Sequence, residues 1–297
     1  MLNKVFLLLL VIYSQALHVD LCAQIAKEFT VVEREGYGLV ALDFSCYKGI
    51  THVRREHSGN PVHASAELGK VNILPSFSHH ITDGVLFAYL DHKNVESESL
   101  GRSLSYRLFS NSDENFDHHW KLGLDANFLY DLNLNFGIGK ANLDFSHLPI
   151  SNCKIRTASA DVVLGYLSKI PNTVNMDTLS VVINMGSLYA DDLQFSNAHK
   201  TFLDVKYGTI NLSFSDLMAQ PSIISATVGA GSVNIKLPET KHPYIVKIKN
   251  HAMCKTSIPP FLKEMDDKSF VSKGYSPDAK NLMTFLIDVS VGSVSLK

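Results

Sequence analysis

A strand of period two keeps one set of side chains on one face, so a chain that repeatedly changes phase at a glycine must bend there. The segments Leu132–Phe145 (LNLNFGIGKANLDF), Leu203–Phe214 (LDVKYGTINLSF) and Ile224–Leu237 (ISATVGAGSVNIKL) all do this. With corners placed at Gly139, Ala160, Gly186, Gly208, Gly231 and Gly292, apolar side chains fall at even offsets after the corner, as in Ile210, Leu212 and Phe214. Before it they fall at odd offsets, as in Leu203, Val205 and Tyr207. Glycine suits the corner because it tolerates positive φ and has no side chain to strike the neighbouring strand. Successive corners are 21, 26, 22, 23 and 61 residues apart. All but the last lie near the ~20–30-residue period of solenoids. The chain is therefore expected to be all-β, a solenoid-like stack of short β rungs with glycine corners. Two copies depart from the pattern: Ala160 is not a glycine, and Leu188–Leu193 slips so that Asp192 takes the +6 position.

The long spacing holds an insertion at 251–281, marked by Pro259-Pro260, the charged Lys263–Lys268 and Gly274–Pro277, and read as an ordered excursion or a loop. The pattern then returns in Phe285–Leu296, read as a closing rung. Upstream, 24–115 reads as an irregular β region continuous with the 116–297 repeat. It contains short strands at Gly38–Phe44 and Leu68–Leu74, the second with a corner at Gly69, and a continuous apolar run, Gly84–Leu90, of the kind buried on both faces. The polar Ser110–Asp117 is expected to be a loop.

Residues 1–23 read as a secretory signal: Lys4, an apolar run from Val5 to Tyr13, and a small residue, Ala23, at the expected cleavage point. That run is shorter than a membrane-spanning helix needs, and no later segment is long and apolar enough. The expected location is the periplasm or the cell surface. With 27 Lys+Arg against 29 Asp+Glu, the net charge of −2 gives no global reason to expect nucleic acid as a partner. Cys46, Cys153 and Cys254 are an odd set, so one bridge or three buried thiols are both open.

The segment Asp131–Leu148 (DLNLNFGIGKANLDFSHL), the corners that follow it and the terminal Val291–Leu296 (VGSVSL) resemble the toast-rack domains of bacterial envelopes, the LiaF-like and adhesin-type group, over about residues 116–297. The resemblance implies a stack of β rungs outside the membrane, often linked to adhesion or envelope-stress sensing. It brings no established catalytic residues. This chain lacks the membrane helices of LiaF-like sensors, which favours a free periplasmic or surface protein.

Gly137–Asn142 (GIGKAN) invites a dinucleotide-loop reading, but Asn142 takes the third glycine position and a strand pattern follows where a helix is needed. His52, His57, His63, His79, His80, His92, His118 and His119 are plentiful, yet no zinc spacing joins them, and extended neighbours such as His79 and His80 point to opposite faces. Asp113, Glu114 and Asp117 fit neither an EF-hand nor a calcium-binding repeat and read as a solvated loop. No nucleophile elbow is present. The expectation is thus a non-enzymatic, adhesin-like binding protein of the envelope, with no catalytic, metal or cofactor residues and an envelope protein or a glycan as partner. The alternative is an envelope hydrolase or metal-binding protein in which His57, His63, Asp117 or His119 meet in a cleft. A third reading is a structural subunit that associates through exposed strand edges.

Overall fold

The computed structural model describes residues 25–69, 74–92, 118–216, 218–249, 251–266 and 268–297. The N-terminal strands are β1 (Ile25–Thr30), β2 (Leu39–Arg55), β3 (Val62–Leu68), β4 (Ser76–Thr82), β5 (Val85–His92) and β6 (His119–Leu124). The repeat forms β7 (Tyr130–Asp144), β8 (Ile150–Gly165), β9 (Met176–Ala190), β10 (Ala198–Ser213) and β11 (Ser222–Lys236). Next come β12 (Tyr244–Lys249), β13 (Met253–Ser257), β14 (Lys263–Asp266), β15 (Ser269–Val271) and β16 (Met283–Leu296). Among the described residues the helical element is a single 3-10 turn, Leu193–Ser196.

The long strands pair in parallel in the order β2-β7-β8-β9-β10-β11-β16. Each is one bent rung. Gly49 is in register with Gly139 and Gly139 with Ala160, while Gly186, Gly208, Gly231 and Gly292 follow one another in register. On either side of Gly208, Leu203 and Val205, then Ile210 and Leu212, are buried, so both arms of the rung turn their apolar residues to the same core. Parallel strands ordinarily need a dozen or more residues to return. Here Phe145–Pro149 suffices between β7 and β8, because a bent strand brings its own ends closer together than a straight one.

The glycine column explains itself through its neighbours. Gly49, Gly139, Gly186, Gly208, Gly231 and Gly292 all have φ between 130° and 146°. A Cβ on Gly231 would run into the carbonyl oxygen of Gly208, and one on Gly292 into that of Gly231. Ala160 escapes because its φ is not positive, and its methyl is buried. The cost is local: β8 and β9 pair from Asn152↔Thr178 to Thr157↔Ile183 and resume at Val162↔Leu188. Side chains fill the gap, with the Ser187 amide donating to Asp161 (2.8 Å) and the Thr157 hydroxyl to the Ala160 carbonyl (3.3 Å).

The returns contribute Phe145, Leu148, Tyr166, Leu193 and Phe214 to the core. Their backbones are tied by amide side chains. Buried Asn172 accepts from the Ile150 amide and donates to the Ile150 and Ser196 carbonyls, at 2.9, 2.7 and 3.2 Å. Asn197 donates to the Asn172 carbonyl and Gln220 to that of Asn197. Each buried polar group in this ladder is thereby satisfied by the next rung.

Both ends of the stack are closed by a rung that is split at the corner. At the N-terminal end β5 pairs with the first arm of β2 and β6 with the second. At the C-terminal end β12 pairs with the first arm of β16 and β13 with the second. Antiparallel strands extend these arms: β4 on β5, β3 and β1 on β6, and β15 and β14 on β12.

Three local expectations change, and for the 251–281 insertion the ordered of the two alternatives holds. The last strand, β16, does not close the stack; it lies between β11 and the β12/β13 rung, which the chain has already laid down. The 251–281 insertion accordingly contains strands β13, β14 and β15. The Gly84–Leu90 run is half-buried, since alternate residues of β5 face outward. The glycine with a corner conformation in the N-terminal part is Gly49, whereas Gly69 follows the end of β3 and residues 70–73 lie outside the described set.

Candidate functional site

Alternation that buries one side of every rung leaves the other side as a broad outer surface in two panels, one for each arm. In-register pairing places equivalent residues about 4.8 Å apart along rows that run across the rungs. On the second-arm panel, Thr209 and Ser232 stand in one row and Asn211 and Asn234 in the next. They are joined by hydrogen bonds of 3.2 and 2.9 Å. The stack thus converts a sequence repeat into a polar lattice.

One region of this panel is concave. A groove of about 680 Å³ crosses the second arms of β6, β2, β7 and β8 and continues to the turn after β9. Its floor is made by Asn142, Val163 and Gly165, the last having open space where a side chain would stand. The charges are divided. His52, Arg54 and Lys121 line the β6/β2 side, and Asp144, Asp191 and Asp192 the β7–β9 side, where Lys169 also lines the groove. Arg54 and Asp144 meet on neighbouring strands just beyond the in-register pair Val53 and Leu143. Burial, together with the charges of His119, Arg54, Lys121 and Lys140, pushes the His52 pKa down, so its imidazole resists becoming another cation on the β6/β2 side. The acids are held by the returns: Asp144 accepts from the Ser146 hydroxyl (2.6 Å) and the Leu167 amide (3.2 Å), and Asp191 from the Ser213 hydroxyl (2.9 Å). Such a groove can orient a ligand carrying both signs of charge.

The histidines that the sequence singled out are dispersed. His57 is exposed, His63 Nδ1 lies 3.0 Å from Glu56, His79 pairs with Glu33 at 2.9 Å, and His119 sits in register with Ile50. Asp113, Glu114 and Asp117 lie outside the described residues. His92 and His118 do meet, at the split corner beside Gly49, with ring centroids 5.8 Å apart and Tyr47 and Trp120 packed around them. His118 Nδ1 accepts from the Gly69 amide at 3.1 Å, and its Nε2 lies 3.1 Å from the Tyr47 hydroxyl. The ring is buried at the corner. Among the described residues no group of three or more His, Cys, Asp or Glu side chains is placed to hold a metal.

The corner residues are architectural in this geometry. Gly137 and Gly139 back onto the Tyr47 and Gly49 carbonyls of the neighbouring strand, leaving no cradle for a phosphate. Cys46, Cys153 and Cys254 are free thiols, and burial pushes Cys46 up to about 12. Among the described residues no helix is long and apolar enough to cross a membrane. The groove was not anticipated from the sequence. Its signal was the row of outward residues at +5 from each corner, Arg54, Asp144, Gly165 and Asp191, where charge changes sign between Arg54 and Asp144 and a glycine leaves open space before Asp191.

No family model matches the chain, and no curated protein matches it. Solved structures that the chain is similar to include a "putative cell adhesion protein" from Clostridium sporogenes, 13% identical, covering 92% of this chain and 99% of its own, with a TM-score of 0.45. Another is a "putative adhesin" from Bacteroides fragilis, 11% identical, covering 92% and 97%, with a TM-score of 0.36. A third, also a "putative adhesin", comes from Parabacteroides merdae, at 12% identity, 92% and 96% coverage and a TM-score of 0.32.

Proposed function

We propose that this chain is a non-enzymatic binding protein of the cell envelope, adhesin-like in the sense that a rigid β stack presents ligand-binding panels outward. The observation that carries the reading is the groove with divided charge on an in-register polar panel. Its basic side lies on β6 and β2 and its acidic side at the end of β7 and in the turn after β9, so the distance between them follows the order of the rungs. The ligand is an envelope protein or a glycan that carries both charges. The secretory pattern of residues 1–23 supports placement in the periplasm or on the cell surface.

Purified protein should bind an envelope preparation saturably, with affinity falling as salt rises because the groove charges are solvent-facing. Arg54→Glu combined with Lys121→Glu should abolish that binding while leaving the unfolding midpoint within a few degrees. Wild-type protein that shows no saturable binding, or a double variant that binds normally, overturns the assignment to this groove.

A further inference from the structure

The first-arm panel carries a second arrangement that the groove does not use. At its N-terminal end, His80 on β4 pairs with Phe87 on β5, and their rings stack at 5.3 Å and 20°. His80 also stacks on Tyr89, at 6.0 Å and 18°, and Tyr89 is 41% exposed. Three near-parallel rings thus form a ledge on the outer surface. One strand further, Tyr89 is in register with Asp43 and Phe87 with Ala41. On the next strand Asp43 is in register with Asn133 and Ala41 with Asp131. Ala41 presents only a methyl group between the ledge and the β7 polar row, on a strip of the panel that we term the trough.

The polar side of the trough is preorganised. Asn133 Nδ2 donates to Asp43 Oδ2 at 2.6 Å, and Asn135 Nδ2 donates to Asp43 Oδ1 at 3.4 Å and to Ser45 Oγ at 3.3 Å. Arg156 donates to Asn133 Oδ1 at 3.4 Å. An amide offers two donors and a two-lone-pair acceptor, so this network leaves the Asn135 carbonyl and one Asn133 N–H available to a ligand. The side chains already hold one another in place, which removes much of the ordering cost of binding. Burial raises the pKa of Asp131 at the trough's edge, in keeping with a partly dehydrated surface.

We propose that this trough binds a neutral carbohydrate chain, with the C–H face of a pyranose against the Phe87–Tyr89 ledge and its hydroxyls on Asp43, Asn133 and Asn135. The chemistry is matched on both sides. Sugars are amphipathic, with apolar C–H faces and edges of paired hydroxyls, and the trough sets an aromatic surface about one strand spacing from a carboxylate and two from an amide row. A purely structural role would need only the ring stacking, since cross-strand aromatic pairs also stabilise a sheet. It would not need the oriented amide–carboxylate row beside them. The inference rests on the reading of this chain as a binding protein, but it uses a different panel from the groove.

The test is calorimetric titration of the purified protein with cellohexaose, maltohexaose and chitohexaose, neutral chains without the charges the groove selects. At least one should bind saturably and with little salt dependence. Tyr89→Ala and Asn133→Ala should each weaken that binding by about tenfold or more, with unfolding midpoints close to wild type. Tyr189→Ala, exposed on the other panel, should leave it unchanged. Failure of all three hexasaccharides to bind, or binding that survives both trough variants, overturns the proposal. Because envelope binding by the groove is scored with the charged double variant, either reading can fail while the other stands.

Discussion

The two ends of the stack solve one problem with different chemistry. Each terminal rung is split at the corner, where a continuous rung would need a glycine. At the N-terminal end the split is packed shut: Tyr47, His92, His118 and Trp120 gather beside Gly49, and three of the four are buried. At the C-terminal end the split lies open. Lys249 and His251 reach Asp288 at 2.9 and 2.7 Å on the surface, Met253 is 69% exposed, and the outer edge of β13 has no partner strand among the described residues. A broken rung can thus be closed either by burying its ends or by leaving short polar ones in water. The second solution offers the edge through which another strand could pair.

The largest test of this contrast is Trp120→Ala. Truncating a fully buried tryptophan should cost about 3–5 kcal/mol, read as a drop in the denaturant midpoint, whereas Met253→Ala should stay within about 0.5 kcal/mol. Comparable losses would mean that the open end is packed in solution. Next in size are Gly49→Ala and Gly292→Ala. Each puts a methyl at positive φ against a backbone carbonyl, His118 in one case and Gly231 in the other. Roughly 2–4 kcal/mol is expected for either. An innocuous Gly292→Ala with a damaging Gly49→Ala would show that the column relaxes toward the open end.

A smaller effect comes from pH. Burial pushes the Asp288 carboxyl up, but hydrogen bonds from Lys249 and His251 and their charges outweigh this and hold it below the usual carboxylate range. A depressed pKa stabilises the folded state above the ordinary value near ~3.9 and is lost as pH falls through the folded one. Asp288→Asn should therefore reduce stability by under about 1 kcal/mol at pH 7, with the difference from wild type vanishing in strong acid. A gap that widens on acidification would refute the assignment. The least energetic test is thiol labelling. Cys254, half-buried at the open end, should react in native protein, while Cys46 and Cys153 should react only on unfolding.

Much of this fold was legible because its rules are local. Parity before and after a corner is written in neighbouring residues, and burial at Leu203, Val205, Ile210 and Leu212 follows it, whereas Tyr207 and Val291, directly before their corner glycines, are exposed because the bend carries that position outward. The same rule holds at Gly49, with Phe44 and Cys46 before it and Thr51 and Val53 after. That corner has no repeat spacing to announce it, because the chain leaves its rung at Arg55 and the next complete bent rung has its corner at Gly139, 90 residues later. The groove and the aromatic trough were less legible still. Arg54 and Asp191, or Tyr89 and Asn133, are separated by long stretches of chain and become neighbours only through pairing of rungs.

By itself the sequence determined that the strands bend, where they bend and which side chains turn inward, since period two and the steric freedom of glycine act within a few residues. Only the tertiary structure decided that β16 enters between β11 and β12, that both end rungs are split, and which outward residues share a panel. Every parallel rung offers equivalent hydrogen bonds to its neighbours, so rung order depends on the packing of end strands and insertions, which no local pattern encodes.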